Sequence, residues 1–213
     1  IGLGSGFTNS TSFKLGPQKS HDFEFGHKLS FDSFNIATTL YYMRLRSEIS
    51  TTDNSFYNRN LAPTERYGIE NNFKYSFMKN LNIENAFTLT QAKFRGGERN
   101  ENDLPGVPAF VDSLQINYSP LENLSTYFNF YYQSSSRPLN DFRNFQIVQK
   151  GYHTLNVGFV GNFKGYKASL ALNNLQDKIH YNYAVGSGSG VYHTVSYYPL
   201  PGFNTLFKIS KEF

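Results

Sequence analysis

Hydrophobic and polar residues alternate along most of this chain with a period of two, in runs that helical spacing does not fit. In one run Phe23, Phe25, Leu29 and Phe31 share a phase, with Asp22, Glu24, Gly26, Lys28 and Ser30 in the other. The split recurs in Tyr67, Ile69, Phe73, Tyr75 and Phe77 against Glu70, Asn72, Lys74 and Ser76. It appears again in Leu124, Phe128, Phe130 and Tyr132 against Ser125, Asn129 and Gln133. The last run sets Phe203, Thr205, Phe207, Ile209, Lys211 and Phe213 against Asn204, Lys208, Ser210 and Glu212, broken only by Leu206. Successive side chains of a strand point to opposite faces, so each run predicts a strand with one apolar and one polar face.

The pattern predicts nine strands, near residues 20–31, 34–48, 64–77, 81–93, 107–118, 124–134, 151–162, 166–178 and 202–213. Each has the roughly 9 to 11 residues, or slightly more, that a tilted membrane-crossing strand requires. The connections switch between short and long. The short ones are 32–33, 78–80, 119–123 and 162–165; the long ones are 49–63, 94–106, 135–150 and 179–201, rich in Asn, Ser, Arg, Gly and Pro. A transmembrane antiparallel β-barrel with brief periplasmic turns and extended extracellular loops produces this alternation, which puts Phe213 at the periplasmic side.

Nine strands do not close such a barrel, because bacterial single-chain barrels use an even number and an open edge in lipid leaves backbone groups unpaired. Residues 1–13, with Gly2, Gly4, Gly6 and the run Asn9 to Ser12, have no alternating apolar face and read as the tail of a preceding loop. The expectation is an all-β chain, 1–213, that forms the C-terminal part of a larger barrel. Its last strand then needs a first strand that lies outside these residues.

Composition agrees with a ringed outer surface around a polar interior: aromatic residues are 17% of the chain, with 21 Phe and 16 Tyr, and charged residues only 17%. No apolar run approaches the roughly 18 residues of a membrane helix, and no basic-then-apolar signal peptide opens the chain. Without cysteine, thiolate metal sites, cysteine nucleophiles and disulfides are excluded. The 20 basic and 16 acidic residues are scattered, which argues against nucleic acid as a partner.

Residues 13–26, Phe-Lys-Leu-Gly-Pro-Gln-Lys-Ser-His-Asp-Phe-Glu-Phe-Gly, resemble the segment N-L-K-P-E-x-S-x-x-x-E-x-G of TonB-dependent outer-membrane receptors. Gln18 stands where the family usually has Glu. Residues 62–70 are similar to the family's strand with a Gly-hydrophobic-Glu core, and Leu104-Pro105-Gly106-Val107-Pro108 to its P-x-x-P loop exit. Residues 170–178 resemble V-x-N-L-x-D-K, and Tyr198 to Phe203 the terminal Y-P-x-P-G-R, with Phe203 in place of Arg. The resemblance implies a barrel of about 22 strands with a plug in its lumen, of which this chain is the C-terminal nine. It implies uptake of a scarce nutrient, mainly a ferric siderophore, haem or another metal complex, with energy passed through the TonB protein to a plug outside these residues. The implied partners are the rest of the receptor, TonB, outer-membrane lipid and the metal complex as cargo; no resident cofactor, metal site or catalytic residue is expected.

Candidate cargo contacts lie in the long connections. His180 and His193 share the longest, near Tyr181, Tyr183, Tyr192 and Tyr197, and are candidates to meet a haem or metal complex or are ordinary loop residues. Arg95, Arg99, Arg137, Arg143 and Lys150 offer charge and hydrogen bonds to an anionic siderophore, or are solvated loop cations. Glu24, Lys28, Glu70, Lys74 and Glu84 fall in the polar phase and suit paired charges in a barrel wall. The run Gly186-Ser187-Gly188-Ser189-Gly190 lacks the context of a phosphate cradle or nucleophile elbow and reads as a flexible loop tip. Two other functions fit a barrel: a passive porin, which needs neither plug nor energy coupling, and a membrane lipid hydrolase, for which no persuasive Ser, His and acid set is present.

Overall fold

The computed structural model describes residues 15–51, 58–189 and 192–211. The strands are β1 (Lys19–Ser30), β2 (Phe34–Arg46), β3 (Ile49–Thr51), β4 (Asn58–Asn60), β5 (Thr64–Met78), β6 (Leu81–Phe94) and β7 (Phe110–Leu121). They continue as β8 (Leu124–Gln133), β9 (Tyr152–Phe163), β10 (Tyr166–Asn173), β11 (Tyr181–Ser189), β12 (Tyr192–Pro199) and β13 (Asn204–Lys211). Nine of them form one antiparallel sheet in the order β1-β2-β5-β6-β7-β8-β9-β10-β13, while β3-β4 and β11-β12 are separate hairpins. No described helix is long and apolar enough to cross a membrane.

Register carries each phase from strand to strand, because residues directly opposite in a ladder share a face. Phe34 stands opposite Tyr75, Tyr75 opposite Ile83, and the row continues through Ile116, Phe128, Val157 and Leu172. A second row runs Phe25, Leu40, Ile69, Leu89, Phe110. The opposite face has rows such as Lys74, Glu84, Gln115, Asn129, Asn156. A one-residue slip in any pairing would put polar groups among the rings, so the two-faced pattern fixes the register of the whole arc. The apolar face is bare of protein: Phe25 is 73% exposed and Phe207 63%. An apolar face of this extent marks a surface that membrane or another protein covers.

The polar face has two places where only glycine fits. A Cβ at Gly158 would lie 2.2 Å from the Tyr127 ring, and one at Gly68 would lie 1.9 Å from the Leu89 carbonyl oxygen and 2.8 Å from the Tyr41 hydroxyl. Each tyrosine lies across its glycine, and Tyr41 reaches over β5 to share a hydrogen bond with Thr90 Oγ1 at 2.7 Å. Lys74 and Glu84 pair at 3.2 Å on the same face.

Several boundaries differ from the sequence reading. β10 stops at Asn173 rather than 178, because Asn174 adopts a φ of 50° and its Nδ2 donates to the Lys178 and Pro201 carbonyls at 2.8 and 3.1 Å. β7 begins at Phe110 rather than 107 and runs on to Leu121 through a register shift between Tyr118 and Leu121. Pro120, which has no N–H for the ladder, sits inside that shift. The connection 179–201 is not a plain loop: it holds the β11-β12 hairpin, and Gly186 to Ser189 lie in β11 rather than at a flexible tip. Residues 1–13 and Phe213 lie outside the described residues.

Candidate functional site

The long connections gather at one end of the sheet and pack over its polar face. Thr64 and Phe94, both fully buried, and Ala92, 7% exposed, belong to the polar phase of β5 and β6. Ala92 and Phe94 pack in one cluster with Leu61, Leu104 and Phe142, one from each of three different connections. The Phe94 and Phe142 rings stand 6.0 Å apart. A small apolar core thus ties the loops to the wall and to one another, beneath a rim that is otherwise polar.

Charged groups brace the same rim. Glu48 accepts two hydrogen bonds from Arg66 at 2.9 and 3.1 Å and one from the Thr64 hydroxyl at 2.9 Å. Asp141, 1% exposed, accepts from the Phe145 and Gln146 backbone N–H groups at 3.1 and 3.3 Å. Asn144 Nδ2 donates to the Asp103 carbonyl at 2.9 Å and its Oδ1 accepts from the Asp103 N–H at 2.6 Å, which staples two loops. Two clefts open between them: one of about 300 Å³ beside Glu48, Arg66, Leu104 and Asn140, and one of about 410 Å³ beside Asp103, Ser136, Arg137 and Val148.

The candidate residues fall into two groups. Arg99 lies with its guanidinium 5.2 Å from the centre of the Phe142 ring, and Arg137 is within 3.9 Å of both Asp103 and Asp141. Arg95 pairs with Glu65 at 2.8 Å and also with Glu101, and the two carboxylates hold its guanidinium more firmly protonated than usual. Arg143 is exposed on the turn beside the buried Phe142. Farther round the rim, His180 is 7% exposed and stacks on Tyr152 at 5.2 Å, with its Nε2 buried and without a hydrogen bond. Burial first, then the charges of His153 and Lys178, depress its pKa below the usual imidazole value. Tyr181 packs on Tyr197 at 4.9 Å and Tyr183 on Tyr198 at 4.4 Å, which stiffens the hairpin. His193 stands opposite Gly188 in that hairpin, and its side chain lies outside the described positions.

Phe94, Asp141 and Phe142 were not singled out from sequence. Phe94 carried a usable signal, since it puts a ring at the end of a polar phase that runs Thr88, Thr90, Ala92. Phe142 and Asp141 carried none, because an isolated apolar residue and an isolated acid in a loop have no period to betray their burial.

A two-faced antiparallel arc, apolar outside and polar inside, with tight turns at one end and packed loops at the other, is the wall of a transmembrane β-barrel. The chain belongs to the TonB dependent receptor-like, beta-barrel family, whose sequence profile matches residues 2–175. No curated protein sequence matches it. Among solved structures, the ferric yersiniabactin uptake receptor FyuA from Yersinia pestis aligns with a TM-score of 0.75 at 18% identity, over 90% of this chain and 29% of that one. The ferric-catecholate import receptor Fiu from E. coli K12 gives 0.75 at 16% identity, over 100% of this chain and 30% of that one. The copper transporter OprC gives 0.77 at 17% identity, over 94% of this chain and 32% of that one. This chain therefore spans about three tenths of each, and these likenesses speak to the fold.

Proposed function

We propose that this chain is the C-terminal nine-stranded part of the barrel of an outer-membrane receptor that imports a scarce metal complex, a ferric siderophore or haem, with energy from TonB. The observation that carries the reading is the joined loop end of a sheet that belongs to the TonB-dependent receptor family. The apolar face meets lipid; the polar face, with its Lys74–Glu84 pair and tyrosine-covered glycines, lines the lumen and meets the plug, which lies outside these residues. The long loops face the medium, and β13 ends at the periplasmic side. The braced rim holds its shape, so cargo is met by groups already in position rather than by loops that must first be ordered. His180 stacks on Tyr152 with its Nε2 covered, so it supports the base of the β11-β12 hairpin rather than meeting cargo directly.

The test is uptake of radioactive iron, supplied as siderophore complexes and as haem, by cells expressing the complete receptor with and without TonB. Uptake that requires TonB supports the proposal. Uptake unchanged without TonB, together with salt conductance of the reconstituted barrel, would replace it with a passive porin.

A further inference from the structure

The two clefts of the loop rim adjoin, since Val107 lines both. Among the described residues that line them, the charged ones are Glu48 and Arg66 in the smaller cleft and Asp103 and Arg137 in the larger. Each cleft thus holds one cation and one anion, and the two already face each other. Arg66 donates from one nitrogen to both Glu48 oxygens, at 2.9 and 3.1 Å. Arg137 stands 3.9 Å from Asp103 and 3.9 Å from Asp141, and donates to the Gln146 carbonyl at 3.4 Å. The rest of the lining is apolar or carries hydroxyls and amides, as with Leu104, Phe142 and Val148 beside Thr90, Ser136 and Asn140.

Pairing decides what charge such clefts accept. An anionic ligand reaches Arg66 only by displacing Glu48, whose side chain is 22% exposed, and removing one partner of a largely buried pair is costly. In the larger cleft the Arg137 side chain is 24% exposed and that of Asp103 55%, so an entering ligand meets the carboxylate before the guanidinium. Like charge brought against a carboxylate is repelled, which excludes a partner as effectively as a clash does. An uncharged ligand meets no such cost: it lies on the apolar floor and exchanges hydrogen bonds with the hydroxyls and amides. We propose that these two clefts take a metal complex with no net negative charge, part hydrocarbon and part hydrogen-bonding on its outside, such as a ferric hydroxamate in which ligand and metal charges cancel. Ferric catecholates and ferric citrate keep a net negative charge and haem carries carboxylates, so all of these fall on the disfavoured side. That the complex is cargo rests on the import reading above; the charge preference of the clefts does not.

The experiment titrates the complete receptor in detergent with a ferric hydroxamate and a ferric catecholate, by calorimetry. Wild type should bind the hydroxamate about tenfold more tightly or better, with an affinity that changes less than about twofold when salt is raised. Asp103→Asn removes the outward carboxylate and keeps the backbone N–H and carbonyl that Asn144 holds. It should gain about tenfold in affinity for the catecholate and leave the hydroxamate unchanged. Glu98→Gln removes the same charge from the exposed turn 97–99, outside both clefts, and should change neither affinity. Wild type that binds the catecholate as tightly as the hydroxamate, or binds neither, overturns the proposal. So does Asp103→Asn that gains nothing for the catecholate, or Glu98→Gln that gains as much. Should Asp103→Asn assemble poorly, wild type alone decides: a hydroxamate affinity that falls severalfold with salt overturns the proposal, and a constant one with the preference intact supports it. Uptake is read apart, since a receptor that prefers the hydroxamate but imports it equally with and without TonB overturns the import reading and leaves the clefts as assigned.

Discussion

Replacing Phe142 by alanine should open the loop rim without disturbing the sheet. Phe142 is 6% exposed and packs on the fully buried Phe94, with Leu61 and Leu104 in the same cluster and the Arg99 guanidinium over its ring. It comes from a connection rather than from a strand, so its loss removes no ladder hydrogen bond. Truncating a buried phenylalanine costs about 3 to 5 kcal/mol. The part of that loss that reaches the loops lowers their local opening free energy, and about 3 kcal/mol corresponds to a roughly hundredfold change in an opening constant. The reporters are amides held across the cluster: Leu104 N–H on the Ala92 carbonyl at 3.0 Å, Glu101 N–H on the Phe94 carbonyl at 3.0 Å and Phe94 N–H on the Asn102 carbonyl at 2.9 Å. In the complete receptor, hydrogen exchange at Glu101 and Leu104 should quicken about a hundredfold, while amides of β8 and β9 keep their protection. Rates at Glu101 and Leu104 that stay within about threefold of wild type would refute the idea that one apolar cluster joins the loops.

Three further outcomes follow from named contacts. Asp141→Ala strands the Phe145 and Gln146 N–H groups, a loss of about 1 to 3 kcal/mol, and should speed exchange of both amides by tenfold or more. Gly158→Val drives a side chain into the Tyr127 ring and should lower barrel stability by about 1 to 3 kcal/mol in thermal unfolding; adding Tyr127→Ala should return much of the loss, and a strictly additive pair would contradict the geometry. His180 has a depressed pKa in the folded chain, so its contribution is present above the ordinary imidazole value near 6.5 and is lost as pH falls through the lowered folded value. Intrinsically corrected exchange at Leu200, whose N–H donates to the His180 carbonyl at 2.8 Å, should rise on acidification in wild type and stay flat in His180→Phe, which keeps a ring against Tyr152.

What alternation could reveal was the sheet. All nine strands of the arc were legible, since lipid on one side and polar surroundings on the other impose a period of two that survives without knowledge of any partner strand. The ends were less legible where a single backbone feature decides them, as with the left-handed Asn174 that stops β10 or the Pro120 irregularity that lengthens β7. The β11-β12 hairpin was hidden because Gly186 and Gly188 dilute an alternation that Tyr183, Val185 and their partners would otherwise display. Arg99 and Arg137 look from sequence like cations open to cargo, yet they lie against Phe142 and against Asp103 and Asp141. Phe142 and Asp103 come from other connections, and Asp141, four residues on from Arg137, lies in a loop where the helical i,i+4 rule gives no guidance.

The central claim is that one phase of this sheet faces lipid and the other a lumen. It is tested most directly by placing single fluorophores, through introduced cysteines, at Ile69, Leu114, Phe128, Leu155 and Phe207 and at their neighbours Glu70, Gln115, Asn129, Asn156 and Lys208. With the complete receptor in vesicles containing nitroxide-labelled lipid, the first five sites should be quenched and the second five spared. Quenching that ignores the alternation, or that falls on the polar phase, would contradict the account.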